Sequence, residues 1–314
     1  MRTLLLSRSD VSRNLQSPLL LEDLREACRA DALARTVAAQ GPRVSLHLGG
    51  TAMVRFPGCL PNVPAYSVKV SARFPARTPA VQGVVQLHDL GTGELMAVMD
   101  SGHLTAVGLG VMGALGADVL ARPDARRVAL LGSGASLVMQ LKSLRLVRSL
   151  EHVRVFDPTD PSRTAALAAR LFTELDVPVR VAESVDEAMA DADLIGVDLA
   201  SRQPLPSPSQ LPPGAHLTVL GMDESGAGEG AAVLRQQTLF VSDHRGLLMG
   251  AASAEAGLVE LGEVLAGLKP GRTSESQVTV FAPVGPPLMD LASAWHVYQS
   301  AQADEALHGL DFGG

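Results

Sequence analysis

The stretch RRVALLGSGASLVMQ, Arg126–Gln140, passes from a short apolar run into two glycines one residue apart and then into a second apolar run. It reads as a strand ending at Leu131, a turn through Gly132, Ser133 and Gly134, and a helix that opens with Ala135 and Ser136. The first glycine of such a turn permits a tight bend, and the second lets the main chain come close to a bound group. The helix behind it directs unpaired N–H groups and the positive end of its dipole into the turn, which suits a phosphate. Two glycines also serve in an ordinary strand-to-helix turn, so the surrounding pattern has to decide.

Downstream, strand and helix signals alternate. HVRVFD (152–157), VPVRVA (177–182), DLIGVDL (193–199), HLTVLGM (216–222) and TLFVSD (238–243) read as strands. SLVMQLKSLRLVRSL (136–150), SRTAALAARLFTEL (162–175) and SVDEAMADA (184–192) read as helices between them. This order predicts a parallel, doubly wound sheet with helices on its faces, a Rossmann-type α/β domain over residues 122–287. Asp157 closes the second strand, 25 residues after Gly132, where a carboxylate takes the adenosine ribose hydroxyls of a dinucleotide. The expected cofactor site is therefore Gly132, Ser133, Gly134, Ala135, Ser136 and Asp157. NAD is the expected cofactor, because a 2′-phosphate would meet the Asp157 charge, and Arg163 nearby leaves NADP open. The third position of the glycine fingerprint holds Leu137, which predicts looser packing of helix on strand.

The preceding region has a different rhythm. Residues 17–39 carry apolar side chains at helical spacing, with acids early and arginines late. PRVSLHL, AMVRF, AYSVKVSARF, GVVQLHDL and ELMAVMD follow as short β-type runs, with DLGTGE (89–94) as a hairpin connection. These predict a largely antiparallel sheet. His103–Leu120, rich in Ala and Gly, suits a closely packed helix, ARPDARR (121–127) marks a boundary, and a last helix over 287–306 can return to the first domain. The expected second domain is thus α+β, residues 1–121 with 288–314.

Composition narrows the partners. Across 314 residues, 46% are hydrophobic and 19% charged, enough to build a sizeable core, and the formal net charge of −7 offers no basic stripe for nucleic acid. Cys28 and Cys59 lack the spacing of a disulfide framework or zinc cluster, so a reducing cytoplasm is expected. The apolar run in MRTLLLSRSD is shorter than a signal-peptide core, and no uninterrupted apolar run reaches the ~18 residues of a membrane span, so no membrane partner is expected. His47, His88 and His103 have neither metal-ligand spacing nor a triad context, and no metal site is expected.

YSVKVSARFP, GVVQLHDLGTGELMAVMDSGHLTA, LARPDARRVALLGSGA, VLGMDESGAGE and VGPPLMDLASAWHVY, in this order from near residue 40 to residue 300, resemble the ornithine cyclodeaminase and mu-crystallin family. The resemblance implies a homodimer built from a substrate-binding and dimerisation domain, completed by the C-terminal helix, and an NAD(P)-binding Rossmann domain. It also implies chemistry at the carbon bearing an amine: hydride passes to nicotinamide, and an imine forms that is cyclised, hydrolysed or reduced. The substrate would be a small amino acid or imine. Lys69 matches the family's active-site lysine, which beside a substrate carboxylate or imine holds charge and shuttles protons; a strand lysine facing solvent is the alternative. Asp223 matches its catalytic aspartate, with a turn aspartate as the alternative. Arg43 matches an arginine gripping the substrate carboxylate, Thr78 a substrate-side threonine, and Asp290 an aspartate near the interdomain hinge whose bland role is capping or packing.

The departures are informative. Where the family has Arg-Thr-Ala-Ala, this chain reads GLGV, and Gly108 replaces the second carboxylate-binding arginine. Ser136 stands for a glutamine, Ala227 for a lysine, and VDLA (197–200) lacks the usual threonines near the cofactor. Arg55 and Arg73 lie in the same region and are candidates to replace the missing charge. These changes argue against plain ornithine cyclodeamination and for an imine, a ketimine or an amino acid with a masked carboxylate. The alternative is a non-catalytic, nucleotide-binding protein, against which the retained pair Lys69 and Asp223 speaks.

Overall fold

The computed structural model describes residues 2–34, 43–47, 51–60, 62–74, 81–199, 205–221, 229–249, 258–304, 307 and 309–311. The chain forms two compact units, one of residues 1–108 with 285–314 and the other of residues 109–284.

The first unit opens with β1 (Arg2–Leu6), α1 (Arg8–Asn14) and α2 (Ser17–Ala34). Strands β2 (Arg43–His47), β3 (Thr51–Gly58), β4 (Ala65–Arg73), β5 (Val81–Asp89) and β6 (Leu95–Asp100) follow, and α3 (Ser101–Leu120) begins there. β2 to β6 form an antiparallel meander. DLGTGE closes its β5–β6 hairpin, Asp89 Oδ1 accepting from the N–H groups of Gly91 and Thr92 and Gly93 taking φ +76°. β1 was not legible as a strand: it pairs in parallel with β6, a long-range contact that a five-residue segment with three leucines does not announce.

The second unit contains β7 (Arg127–Leu131), α4 (Ala135–Leu144), β8 (His152–Phe156), α5 (Pro161–Leu175), β9 (Val179–Val181), α6 (Val185–Met189) and β10 (Leu194–Asp198). It continues through β11 (His216–Leu220), α7 (Glu229–Gln237), β12 (Leu239–Ser242), α8 (Arg245–Met249), β13 (Val259–Glu260), α9 (Leu261–Leu265) and β14 (Thr279–Ala282). Its sheet has the order β13-β12-β14-β11-β10-β7-β8-β9, with parallel pairing throughout. This is the Rossmann-type doubly wound arrangement. The order reverses between β7 and β10, the crevice where such sheets bind ligands. β14, absent from the expected strands, is fully buried between β11 and β12; its sequence TVFA is too short to carry an alternation that would mark it.

The chain then re-enters the first unit as α10 (Pro287–Ala301) and β15 (Gly309–Asp311), the latter pairing with β1. α10 ends at Ala301 rather than 306, where the chain turns and the Asp304 N–H donates to Ala301 O. The unit boundary falls inside α3, between Gly108 and Leu109, rather than at residue 121. The reason is burial: Ala114, Ala117 and Ala121 belong to the same apolar cluster as Val128, Leu130 and Leu141. α3 is long and apolar enough to cross a membrane by length and composition, yet 72% of its most apolar window is buried, as in a core helix.

Leu137 does not loosen the packing of α4. A Cβ on Gly196 of β10 would lie 2.8 Å from Leu137 Cδ2, so the small residue that the fingerprint lacks on the helix stands on the strand instead. At the other end of the sheet, buried Asp193 accepts from Arg122 Nη2 at 2.7 Å, Arg127 Nη2 at 2.8 Å and the N–H groups of Arg126 and Arg127. Burial alone would push its pKa up, but the hydrogen bonds from Arg127 and the main chain outweigh it and hold the carboxyl at about 2.

Two outcomes are expected. Gly196→Val, which forces Leu137 off its site, lowers unfolding stability by about 1–3 kcal/mol in urea titrations. Asp193 is depressed below an unfolded value of ~3.9, so its stabilisation is full above that pH and is lost as the pH falls through about 2. The wild-type urea midpoint therefore drops more steeply across this acid window than that of Asp193→Asn.

Candidate functional site

In the first unit the inward face of β4 carries Ala65, Ser67, Lys69 and Ser71, all buried, and Lys69 is the only long side chain among them. Its Nζ donates to Asp290 Oδ1 at 2.8 Å and to Thr105 Oγ1 at 2.6 Å. Thr105 Oγ1 in turn donates to Ser101 O at 2.6 Å, which fixes the hydroxyl's lone pair toward the lysine. The lysine is 3% exposed and the aspartate 1%, so each supplies the counter-charge without which the other could not be buried as an ion. Asp290 lies in the first turn of α10, where the helix dipole favours a carboxylate. The solvated-lysine alternative is excluded, and the bland packing role of Asp290 gives way to that of a counter-ion.

Gly108 stands one turn beyond Thr105 on α3, and Ser293 one turn beyond Asp290 on α10. A Cβ on Gly108 would lie 3.2 Å from Ser293 Oγ, a tight approach, and 3.5 Å from Met289 Cε, in ordinary contact. A side chain at this position would therefore point at α10 and press on Ser293 and Met289. Sheet register places Arg43 opposite Arg55 and Arg55 opposite Lys69, one row across β2, β3 and β4. Arg73 pairs with Thr51, away from that row. The side chains of Arg43, Arg55 and Arg73 lie outside the described residues, as do Thr78 and Asp223 entirely.

In the second unit Gly132 takes φ +124°, a conformation closed to other residues, and its N–H donates to Phe156 O at 2.8 Å. Ser133 Oγ donates to Asp157 Oδ2 at 2.7 Å, while Asp157 Oδ1 accepts from Thr159 Oγ1 at 2.6 Å and Thr159 N at 3.1 Å. Burial pushes the Asp157 carboxyl up, yet the hydrogen bonds from Thr159 and Ser133 prevail and hold it below the usual carboxylate range. Asp157 thus braces the glycine turn against β8 and remains an anion. Gly134 is the N-cap of α4 and has no side chain to close that helix end, Ala135 is exposed, and Ser133 and Ser136 are half-buried. An open, glycine-lined helix terminus beside an ionised carboxylate fits a dinucleotide: Gly132 to Ser136 would hold the pyrophosphate and Asp157 the adenosine ribose. One neighbour sits awkwardly there. A Cβ on Gly134 would collide with Asp198 Oδ2, so the buried Asp198 carboxylate at the end of β10 rests against the turn.

His88 stacks on Tyr66 with ring centroids 4.9 Å apart, and burial depresses the pKa of His103, with Arg8 adding to the effect. Among the described residues no cluster of His, Cys, Asp and Glu could hold a metal ion.

Known proteins match this architecture over its length. The chain is 27% identical to the alanine dehydrogenase of Archaeoglobus fulgidus over 96% of each sequence. It is 29% identical to the ketimine reductase mu-crystallin of Mus musculus over 71% of this chain and 70% of that protein. The structure of Δ1-pyrroline-2-carboxylate reductase from Thermococcus litoralis, in complex with NADH and L-proline, has the same fold, with a TM-score of 0.88 at 24% identity over 98% of this chain and 100% of that one. The ornithine cyclodeaminase/mu-crystallin family model matches residues 1–305, and the chain belongs to that family.

Proposed function

We propose that this protein is an NAD(P)-dependent oxidoreductase or cyclodeaminase-like enzyme acting on a C–N bond of an amino acid, imine or ketimine derivative. The observation that carries the reading is the buried Lys69–Asp290 pair, with Thr105 as third partner, in a chain whose other unit bears the glycine turn and Asp157. Burying such a pair costs desolvation that the ion pair offsets only in part, so it marks a candidate site, and relatives of this chain include an alanine dehydrogenase, a Δ1-pyrroline-2-carboxylate reductase and a ketimine reductase.

The nicotinamide, when bound, supplies or accepts hydride at the substrate carbon. The chain's own part is electrostatic and protonic. Lys69 Nζ, paired with Asp290, would present its positive charge to a substrate carboxylate or imine; if it passes a proton to the imine, a neutral amine stays beside the Asp290 carboxylate and is reprotonated from solvent. Arg43 would grip the carboxylate and Thr78 the substrate side, while Asp223 would accept the proton of the amine or activate water. Gly108 removes one guanidinium from this set. A substrate with its carboxylate masked as an ester or amide, or a ketimine needing a single cationic partner, fits better than free ornithine. Asp157 favours NAD, since its ionised carboxylate repels a 2′-phosphate.

The protein would act as a homodimer in the cytoplasm. The sheet face turned away from α10 carries Val68, Val70, Val84, Val98 and Leu5, with Val70 42% and Leu5 37% exposed, an apolar surface that a second copy would cover.

Titration of the purified protein with NAD+, NADH, NADP+ and NADPH, by calorimetry and nicotinamide fluorescence, should give saturable binding with the NAD pair tighter; no binding of any would overturn the reading. In a screen of cyclic ketimines, amino acid esters and free L-ornithine, turnover is expected from the first two classes and not from ornithine. Lys69→Ala should lower kcat/KM for the best substrate by about 10²–10⁴-fold while leaving NAD affinity unchanged.

A further inference from the structure

The end of β10 places an acid where the cofactor turn would be expected to carry neutral side chains. Asp198 is the last residue of β10, directly beside β7 at the point where the strand order reverses, and it is 7% exposed. Its carboxylate lies on the side of Gly134 that a side chain would occupy: a Cβ there would collide with Oδ2 and come within 2.9 Å of Cγ. Gly134 is thus required twice over, by the backbone approach a dinucleotide needs and by the carboxylate already resting there. Gly134 is also the N-cap of the ten-residue α4, whose first N–H groups and positive dipole end draw negative charge. A carboxylate at this point satisfies the same field that a pyrophosphate would.

We propose that Asp198 is an internal anion that rests against the glycine turn and competes with the pyrophosphate of the dinucleotide, so that it sets cofactor affinity. The inference rests on the reading of the second unit as dinucleotide-binding. Two like charges cannot share one helix terminus in a partly dry crevice without a large repulsion, so the Asp198 side chain rotates away when the cofactor binds. The energy of that displacement is subtracted from binding. Asp198 touches the cofactor's place and not the reacting carbon, so it governs affinity and not the hydride step.

The test is calorimetric titration of NAD+ and ADP-ribose into the wild type, Asp198→Asn and Asp198→Ala, each variant checked for a wild-type-like melting transition. Asn keeps the shape and removes the charge, so it serves if Ala disturbs the fold. The expected result is a gain in affinity of about tenfold or more for both ligands in both variants, because ADP-ribose carries the pyrophosphate but not the nicotinamide. Unchanged or weaker binding in the variants, with the wild type binding normally, overturns the role of Asp198 and leaves the cofactor reading standing. A gain with NAD+ alone overturns it too, since that places Asp198 at the nicotinamide end. Binding of neither ligand to any of the three proteins removes the cofactor reading and the inference with it.

Discussion

A buried ammonium must be paired, and in this protein the pairing organises the whole first unit. Lys69 points from β4 into the interior, and its carboxylate partner comes from a helix 221 residues later in the chain. That distance explains the unit's discontinuous make-up: the chain leaves through α3, completes a second unit, and returns as α10 to bring Asp290 to the lysine. Small neighbours make room for the charge, with Ala65, Ser67 and Ser71 beside it on β4 and Gly108 on α3 admitting α10 closely. Removing one partner of such a pair costs about 3–5 kcal/mol in general, because the other is left charged in the interior.

The second unit depends on glycines in a way that differs from the usual fingerprint. Gly132 supplies the positive φ that turns β7 into α4, and Gly134 keeps its side clear, here for the carboxylate of Asp198. The close approach of helix to sheet, which the fingerprint assigns to a third glycine on the helix, is supplied by Gly196 on β10 under the Leu137 side chain. Gly116 on α3 makes room in the same manner for the Phe281 ring of β14, with which a Cβ there would collide. Each of these is a packing constraint between elements distant in sequence. At the opposite edge, Asp193 collects two arginines and two main-chain N–H groups, so the starts of β7 and β10 are tied together at the end of the sheet away from the glycine turn.

How far the chain could be read without its structure follows the range of each signal. The alternation of strands and helices from Arg127 to Asp198, the glycine turn, the DLGTGE hairpin and Lys69 on its strand were legible, because periodicity and turn chemistry act within a few residues, whereas α7 between β11 and β12 was not expected. β1, β14 and β15 were not, since each is a short segment that becomes a strand only through a distant partner: β6 for β1, β11 and β12 for β14, and β1 for β15. Thr105 and Asp290 stood inside recognisable motifs, but nothing local to either residue ties it to Lys69. The extent of α3 in each unit was equally hidden, as its apolar residues run on past Gly108 without a break.

By itself, then, the sequence determined the two architectures, the place of the glycine turn and the family to which the chain belongs. Those properties are written in local spacing and in residue types that a tight turn or a buried strand demands. Only the tertiary structure decided that Lys69 is a buried, paired charge, that Leu137 is accommodated by Gly196, and that Asp198 rests on the cofactor turn. The reason is physical: burial, counter-charge and close approach are set by which distant segments meet, and the energies involved arise only once they do.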